Sequence, residues 1–172
     1  MNQDNVNYKL EKKFLKFYKS HSDAIFRHCY YRISNEERAR ELTQDAFMKT
    51  WKYLVDGKQI ENLRAFTYSV IRNLIIDEYR KKKEYSLNKL QDDIGFQIEQ
   101  EGFDQNLKNK IDVKLALEYL EKLDEKDREV IIMRYVDDMR VKEIAKIINQ
   151  TENVISVRIH RSLKKLEKII KE

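Results

Sequence analysis

The sequence predicts an all-α protein: two small helical domains joined by an acidic, partly disordered linker. Three observations predict it. Proline is absent and glycine occurs only three times in 172 residues, which removes the usual punctuation of hairpins, sandwiches and barrels. Apolar residues recur at three- and four-residue spacing through both halves, the mark of amphipathic helices. Between the halves that period lapses and the composition turns acidic. With 41% hydrophobic and 38% charged residues, the chain can build two helical cores under a heavily charged surface. The expected limits are 1–83 for the first domain, 84–110 for the linker and 111–172 for the second domain.

The first half reads as about four helices. Leu10, Phe14, Phe17, Tyr18, His21, Ile25, Phe26 and Cys29 follow one another at helical spacing, with Tyr30, Tyr31 and Ile33 behind them. Ser34-Asn35-Glu36-Glu37 offers a cap and an acidic first turn to the next helix, whose Ala39, Leu42, Ala46, Trp51 and Leu54 face inward. Val55-Asp56-Gly57-Lys58 breaks the pattern, and Ile60 to Leu63 form a connecting loop. A longer helix runs from Arg64 to Lys83, with Phe66, Val70, Leu74 and Ile75 or Ile76 in its apolar stripe. Glu84, Asp92, Asp93, Glu99, Glu101 and Asp104 then mark the linker, which Gly95 and Gly102 interrupt. It keeps no long period but is too apolar for a pure spacer, as if it lay along a partner.

Three or four helices follow. Val113, Leu117, Leu120 and Leu123 mark the first, and Asp124 with Asp127 is spaced to cap the second. Val141, Ile144, Ala145 and Ile148 fall at i, i+3, i+4 and i+7 on one face of a short helix, with a small residue where a second helix must approach closely. Asn149-Gln150-Thr151-Glu152 supplies a turn. The helix after it buries Ile155, Ile159, Leu163, Leu166 and Ile170, and shows Asn153, Ser156, Val157, Arg158, His160, Arg161 and Lys164 outward. That is the pattern of a helix-turn-helix DNA reader, in which the start of the second helix reaches base edges and later basic residues hold phosphates.

Composition narrows the function further. The net charge of +5 is compatible with nucleic acid. Cys29 is the only cysteine, so no internal disulfide can form, and a reducing compartment follows. One thiol and three scattered histidines, His21, His28 and His160, make no zinc site; no metal or other cofactor is expected. No Gly-rich phosphate loop and no nucleophile–base pair points to an enzyme. No apolar run approaches the roughly 20 residues of a membrane span, and the charged N-terminus is no signal peptide. The expected location is the cytoplasm, at the nucleoid.

In the first half, Glu41, Gln44, Asp45 and Lys49 form a polar face opposite Leu42 and Ala46. The helix beyond interleaves Phe66, Tyr68 and Tyr79 with Arg64, Arg72, Arg80, Lys81, Lys82 and Lys83. Cations that follow phosphates and rings that stack on bases suit single-stranded DNA, and the Asn73 amide can donate to and accept from a base edge.

Together the two blocks resemble the extracytoplasmic-function sigma factors, the small two-domain members of the sigma-70 family. The resemblance rests on Glu41-Leu42-Thr43-Gln44-Asp45, the loop Glu61-Asn62-Leu63-Arg64, Asn73 with Asp77 and Arg80, Glu143-Ile144-Ala145 and Arg158-Ile159-His160-Arg161. It implies that Glu41, Gln44, Asp45 and Lys49 dock on the clamp helices of core RNA polymerase's largest subunit, with a further contact to the flap of the second-largest. Asn62, Arg64, Arg72, Asn73, Arg80, Lys81 and Lys82 would hold melted promoter DNA and its flipped base, and the second domain would read the upstream element. The acidic linker would thread toward the RNA channel, and an anti-sigma partner would hold the protein inactive at times. Val154, Ser156, Val157 and Asp124 depart from the family's usual residues, which bears on which element is read. The rival from another class is a stand-alone helix-turn-helix regulator, which would dimerise on a two-fold operator; no helix is left over for that.

Overall fold

The computed structural model describes residues 3–88 and 107–171, and every regular element among them is helical. These are α1 (Gln3–Ile33), α2 (Glu36–Val55), α3 (Leu63–Asn88), α4 (Leu107–Glu121), α5 (Glu125–Ile131), α6 (Val141–Ile148) and α7 (Glu152–Lys171), with a π-helical turn at Ile132–Val136 after α5. The chain divides into two compact units, one built on α1, α2 and the start of α3, the other chiefly on α4–α7. The first half holds three helices rather than four, because α1 runs unbroken for 31 residues. Helix also extends into both ends of the expected linker, through Asn88 and from Leu107. The rest of that linker lies outside the described residues.

In the first unit α1 packs on α2. Asn35 caps α2 as its sequence suggests: its backbone is extended and its side-chain oxygen accepts from the Arg38 amide at 2.8 Å. Along α2, Ala39, Leu42, Thr43, Ala46, Phe47 and Thr50 are buried at i, i+3, i+4, i+7, i+8 and i+11. They meet Phe17, Ile25, Cys29 and Ile33 from α1 and Tyr68, Ile71 and Ile75 from α3 in the buried core. An aromatic cluster closes one end, with Phe14 5.0 Å from Trp51 and Tyr18 4.8 Å from Phe47 between ring centroids. Cys29 is a fully buried packing residue whose sulfur accepts from the Thr43 hydroxyl at 3.4 Å.

The inner stripe of α3 differs from the expected one. Thr67, Tyr68, Ile71 and Ile75 are buried, whereas Phe66, Val70 and Leu74 are only half-buried. Two threonines shift the register: Thr67 donates to the Leu63 carbonyl at 2.8 Å, Thr50 to that of Ala46 at 2.8 Å, and their hydroxyl oxygens lie 3.3 Å apart. Each hydroxyl is satisfied within its own helix, so burying it costs little.

In the second unit α5 and α4 both pack on α7. Asp124 caps α5, accepting from the Asp127 amide at 3.0 Å. Lys165 of α7 reaches both carboxylates, Asp124 at 3.0 Å and Asp127 more closely still. Burial alone would raise the Asp124 pKa, but the Asp127 amide and the Lys165 ammonium outweigh it and hold the group below its usual value. Asp127 first, then Asp124, raises Lys165 in turn.

Arg140 stands at the N-cap position of α6, its carbonyl accepting from the Ile144 amide at 3.1 Å, and the Glu143 carboxylate accepts from the Arg140 amide at 2.9 Å, as the third residue of a capping box does. Helix α6 ends at Ile148 and is followed by Asn149, in the left-handed region with φ 58°. The next amide, Gln150, donates to the Ala145 carbonyl at 2.9 Å and closes a Schellman turn. Thr151 then caps α7, its hydroxyl accepting from the Val154 amide at 3.3 Å. A β-branched side chain at Asn149 would clash with its own backbone. Asn149→Val is therefore expected to lower stability by about 1–2 kcal/mol, with Asn149→Gly close to wild type, as checked by chemical denaturation.

Along α7 the buried residues are Ile155, Ile159 and Ser162, with Leu166 and Ile169 half-buried. Leu163 is 36% and Ile170 53% exposed, a correction to the expected stripe. The inner position after Ile159 falls to Ser162, whose hydroxyl donates to the Arg158 carbonyl at 2.8 Å.

Candidate nucleic-acid interface

Helix α3 begins at a built cap. The Asn62 side-chain oxygen accepts from the Ala65 amide at 3.0 Å, so this candidate DNA ligand also starts the helix. Beyond it, Asn62, Asn73 and Arg80 fall at i, i+11 and i+18, near whole turns of about 3.6 residues, and all three are exposed. This stripe lies opposite Ile71 and Ile75, which are fully buried. Lys81 and Lys82 are exposed beyond it.

Other candidates separate from that stripe. Arg64 lies toward the inner side, half-buried, with its guanidinium 5.7 Å from the centre of the Tyr68 ring. Arg72 is half-buried at the edge. Tyr68 is fully buried and meets His28 edge-on at 5.2 Å; it is a core ring and offers no face to a base. Phe66 is half-buried against Tyr53 at 4.6 Å, and Lys58 lies over the other ring at 4.6 Å from its centroid. This stack of cation and rings borders the loop that leads to Asn62.

On α2, Glu41, Gln44, Asp45 and Lys49 are all exposed, with Lys49 at the edge of the face. Glu41 is not a lone carboxylate: Arg38, one turn earlier, pairs with it. Met48 was not singled out in the sequence, yet it is 61% exposed, at i+4 from Gln44 and i+3 from Asp45. The helical spacing could have found it, because an apolar residue in phase with Gln44 and Asp45 cannot also face Leu42.

On α7, Asn153, Ser156, Val157, His160, Arg161 and Lys164 are exposed and Arg158 is half-buried. At about 100° per residue, Asn153, Val157, His160 and Lys164 cluster opposite Ile155 and Ile159. Val154 joins this surface at 39% exposure. The outward face is thus polar and cationic with two valines set into it, and the short α6 before it in the chain buries Ile144, Ala145, Ile147 and Ile148. Among the described residues no group of three or more His, Cys, Asp or Glu could hold a metal ion. Nor is any helix among them long and apolar enough to cross a membrane.

Two models of one family match in the order of these surfaces: Sigma-70 region 2 over residues 17–85 and Sigma-70, region 4 over residues 114–166. The chain belongs to the sigma-70 family, in its extracytoplasmic-function group. Among its relatives, the ECF RNA polymerase sigma factor SigW of Bacillus subtilis is 28% identical, the match covering 88% of this chain and 86% of SigW. The sigma factor SigV of the same bacterium is 24% identical over 84% of this chain and 82% of its own. The fold is that of the sigma factor RpoE solved with the anti-sigma factor NepR from Bartonella quintana. That match has a TM-score of 0.78 at 21% identity and covers 93% of this chain and 98% of RpoE. CnrH, solved with the cytosolic domain of CnrY, matches with a TM-score of 0.70 at 21% identity, over 94% and 89% of the two chains.

Within the region 2 match lie the α2 face and the whole Asn62–Asn73–Arg80 stripe; within the region 4 match lies the outward face of α7 from Asn153 to Lys164. Sigma-70 factors are transcription-initiation factors.

Proposed function

We propose that this sigma factor directs core RNA polymerase to promoters by dividing the work among three faces. Glu41, Gln44, Asp45, Lys49 and the neighbouring Met48 dock on the clamp helices of the largest subunit, the charged and amide groups setting register and the apolar side chain adding contact. The second domain touches the flap of the second-largest subunit and lays α7 in the major groove of the upstream element. Asn73, Asn62 and Arg80, with Arg72, Arg64, Lys81 and Lys82 beside them, hold the melted non-template strand and its flipped base. Binding energy gained on the flipped base offsets the cost of unpairing it. The acidic segment between the domains runs toward the RNA channel. The protein works in the cytoplasm on the nucleoid, and an anti-sigma partner covers these faces when it is silent.

One observation carries this reading. Asn73 is exposed directly opposite the buried Ile71 and Ile75, so its polar side chain does nothing for the core and is available to a ligand. Co-elution of the full chain with core polymerase tests it. Tight binding is expected, and Gln44→Ala/Asp45→Ala should weaken it about tenfold, a change of about 1.4 kcal/mol. No binding, with a free protein that is dimeric, would instead favour an autonomous helix-turn-helix regulator.

A further inference from the structure

The outward face of α7 carries two valines among polar and cationic groups. Val157 is 41% and Val154 39% exposed. Val157 stands about 200° round the helix from Ile155, at about 100° per residue, and so points away from the core that Ile155 and Ile159 join. Asn153 precedes it by one turn, and His160 and Arg161 follow by one turn, all exposed. A single surface valine needs no explanation. Here two occupy the surface that a helix-turn-helix presents to DNA, on an exposed helix where β-branched side chains lose rotamer freedom and gain nothing from water.

The chemistry of the major groove supplies what they would contact. Base edges there present hydrogen-bond donors and acceptors, and one apolar group, the C5 methyl of thymine. Val154 and Val157 are three residues apart, a rise of about 4.5 Å along the helix, comparable with the spacing of about 3.4 Å between bases on one strand. Both valines can therefore meet neighbouring bases at once. A protein partner would need a continuous apolar patch, whereas Asn153, Ser156, His160 and Arg161 ring these valines with polar groups suited to a phosphate-walled groove.

We propose that the upstream promoter element is read in part through thymine methyl groups, with Val157 and Val154 packing on the C5 methyls of two nearby thymines. This rests on the reading of α7 as the promoter-reading helix.

The test uses holoenzyme assembled from the full chain and core polymerase. Duplexes are selected from a pool randomised over the upstream element, and each thymine of the selected element is replaced by deoxyuridine, which lacks only the methyl. Binding should fall about three- to fivefold at each of one or two positions, as expected for burying one methyl group. Val157→Ser should abolish that sensitivity at one position and Val154→Ser at the other, so that each variant binds thymine and uracil alike there. Because the first comparison changes only the DNA, it does not depend on the folding of any variant. An element that is sensitive to base-pair swaps but indifferent to deoxyuridine throughout would overturn the inference and leave the proposed function standing. Failure to enrich any upstream element would overturn both.

Discussion

Replacing Asn73 by Ala is expected to lower open-complex formation about ten- to a hundredfold, the loss of one well-placed amide on a base edge, while leaving core-polymerase affinity unchanged. Asn73 is exposed on the face of α3 opposite Ile71 and Ile75. Its truncation therefore opens no cavity, and alanine is the better helix former. Folding should be unaffected or slightly favoured. The change should appear only when a base leaves the stack, so fluorescence of 2-aminopurine in the non-template strand, read beside co-elution with core polymerase, separates the steps. A base-edge contact predicts that the defect persists at low ionic strength. A loss restored by low salt would assign Asn73 to the phosphates instead, because counterion release makes that class of contact strongly salt-dependent. Equal loss of melting and core binding in a folded variant would remove its base-reading role.

The parts of this protein that could be read from sequence are those where polarity alone decides which way a side chain turns. Helix α6 is one: Ile144, Ala145 and Ile148 are buried and Lys142 and Lys146 exposed, as their spacing dictates. The caps at Asn35 and Asp124 are another, since a short polar side chain before an acidic turn has few other uses. Misreadings fall where a polar group is buried at little cost. Thr50, Thr67 and Ser162 each return a hydroxyl hydrogen bond to the carbonyl four residues earlier. A pattern based on hydropathy passes over them and assigns the neighbouring apolar residue, Phe66 or Leu163, to the core. The converse error hides exposed apolar side chains. Met48 and Val154 are apolar and exposed, and an inward reading would absorb both without their helical phase. Tyr68 shows why an aromatic interleaved with arginines is ambiguous: its ring is wholly buried, and only the packing of α1 against it reveals that.

Arg128→Ala should destabilise the second domain by about 2–3 kcal/mol, the magnitude of losing charge-assisted hydrogen bonds at a partly buried helix end. The last carbonyls of a helix have no partner within it, and at the end of α4 one side chain supplies several. Arg128 Nε donates to the Leu120 carbonyl at 2.8 Å, and Nη2 donates to those of Glu121 at 2.9 Å and Leu123 at 3.3 Å. The positive charge also opposes the negative end of the helix dipole. Removing it would leave these acceptors to compete for water beside Leu120 and Leu123, which are buried, and would loosen α4 where it packs on α7. Arg128→Lys should recover only part of the loss, because an ammonium lacks the planar fork that spans several acceptors. Trp51 is the only tryptophan and lies on α2, so its fluorescence reports on the first domain while far-UV dichroism reports on all helices. In urea, the dichroism transition should broaden or split toward lower concentration in Arg128→Ala, with the Trp51 transition unmoved. The variant should then bind core polymerase but discriminate poorly among upstream elements, since a loosened α4 no longer braces α7. A Trp51 transition displaced equally would mean that the cap stabilises both domains as one cooperative unit.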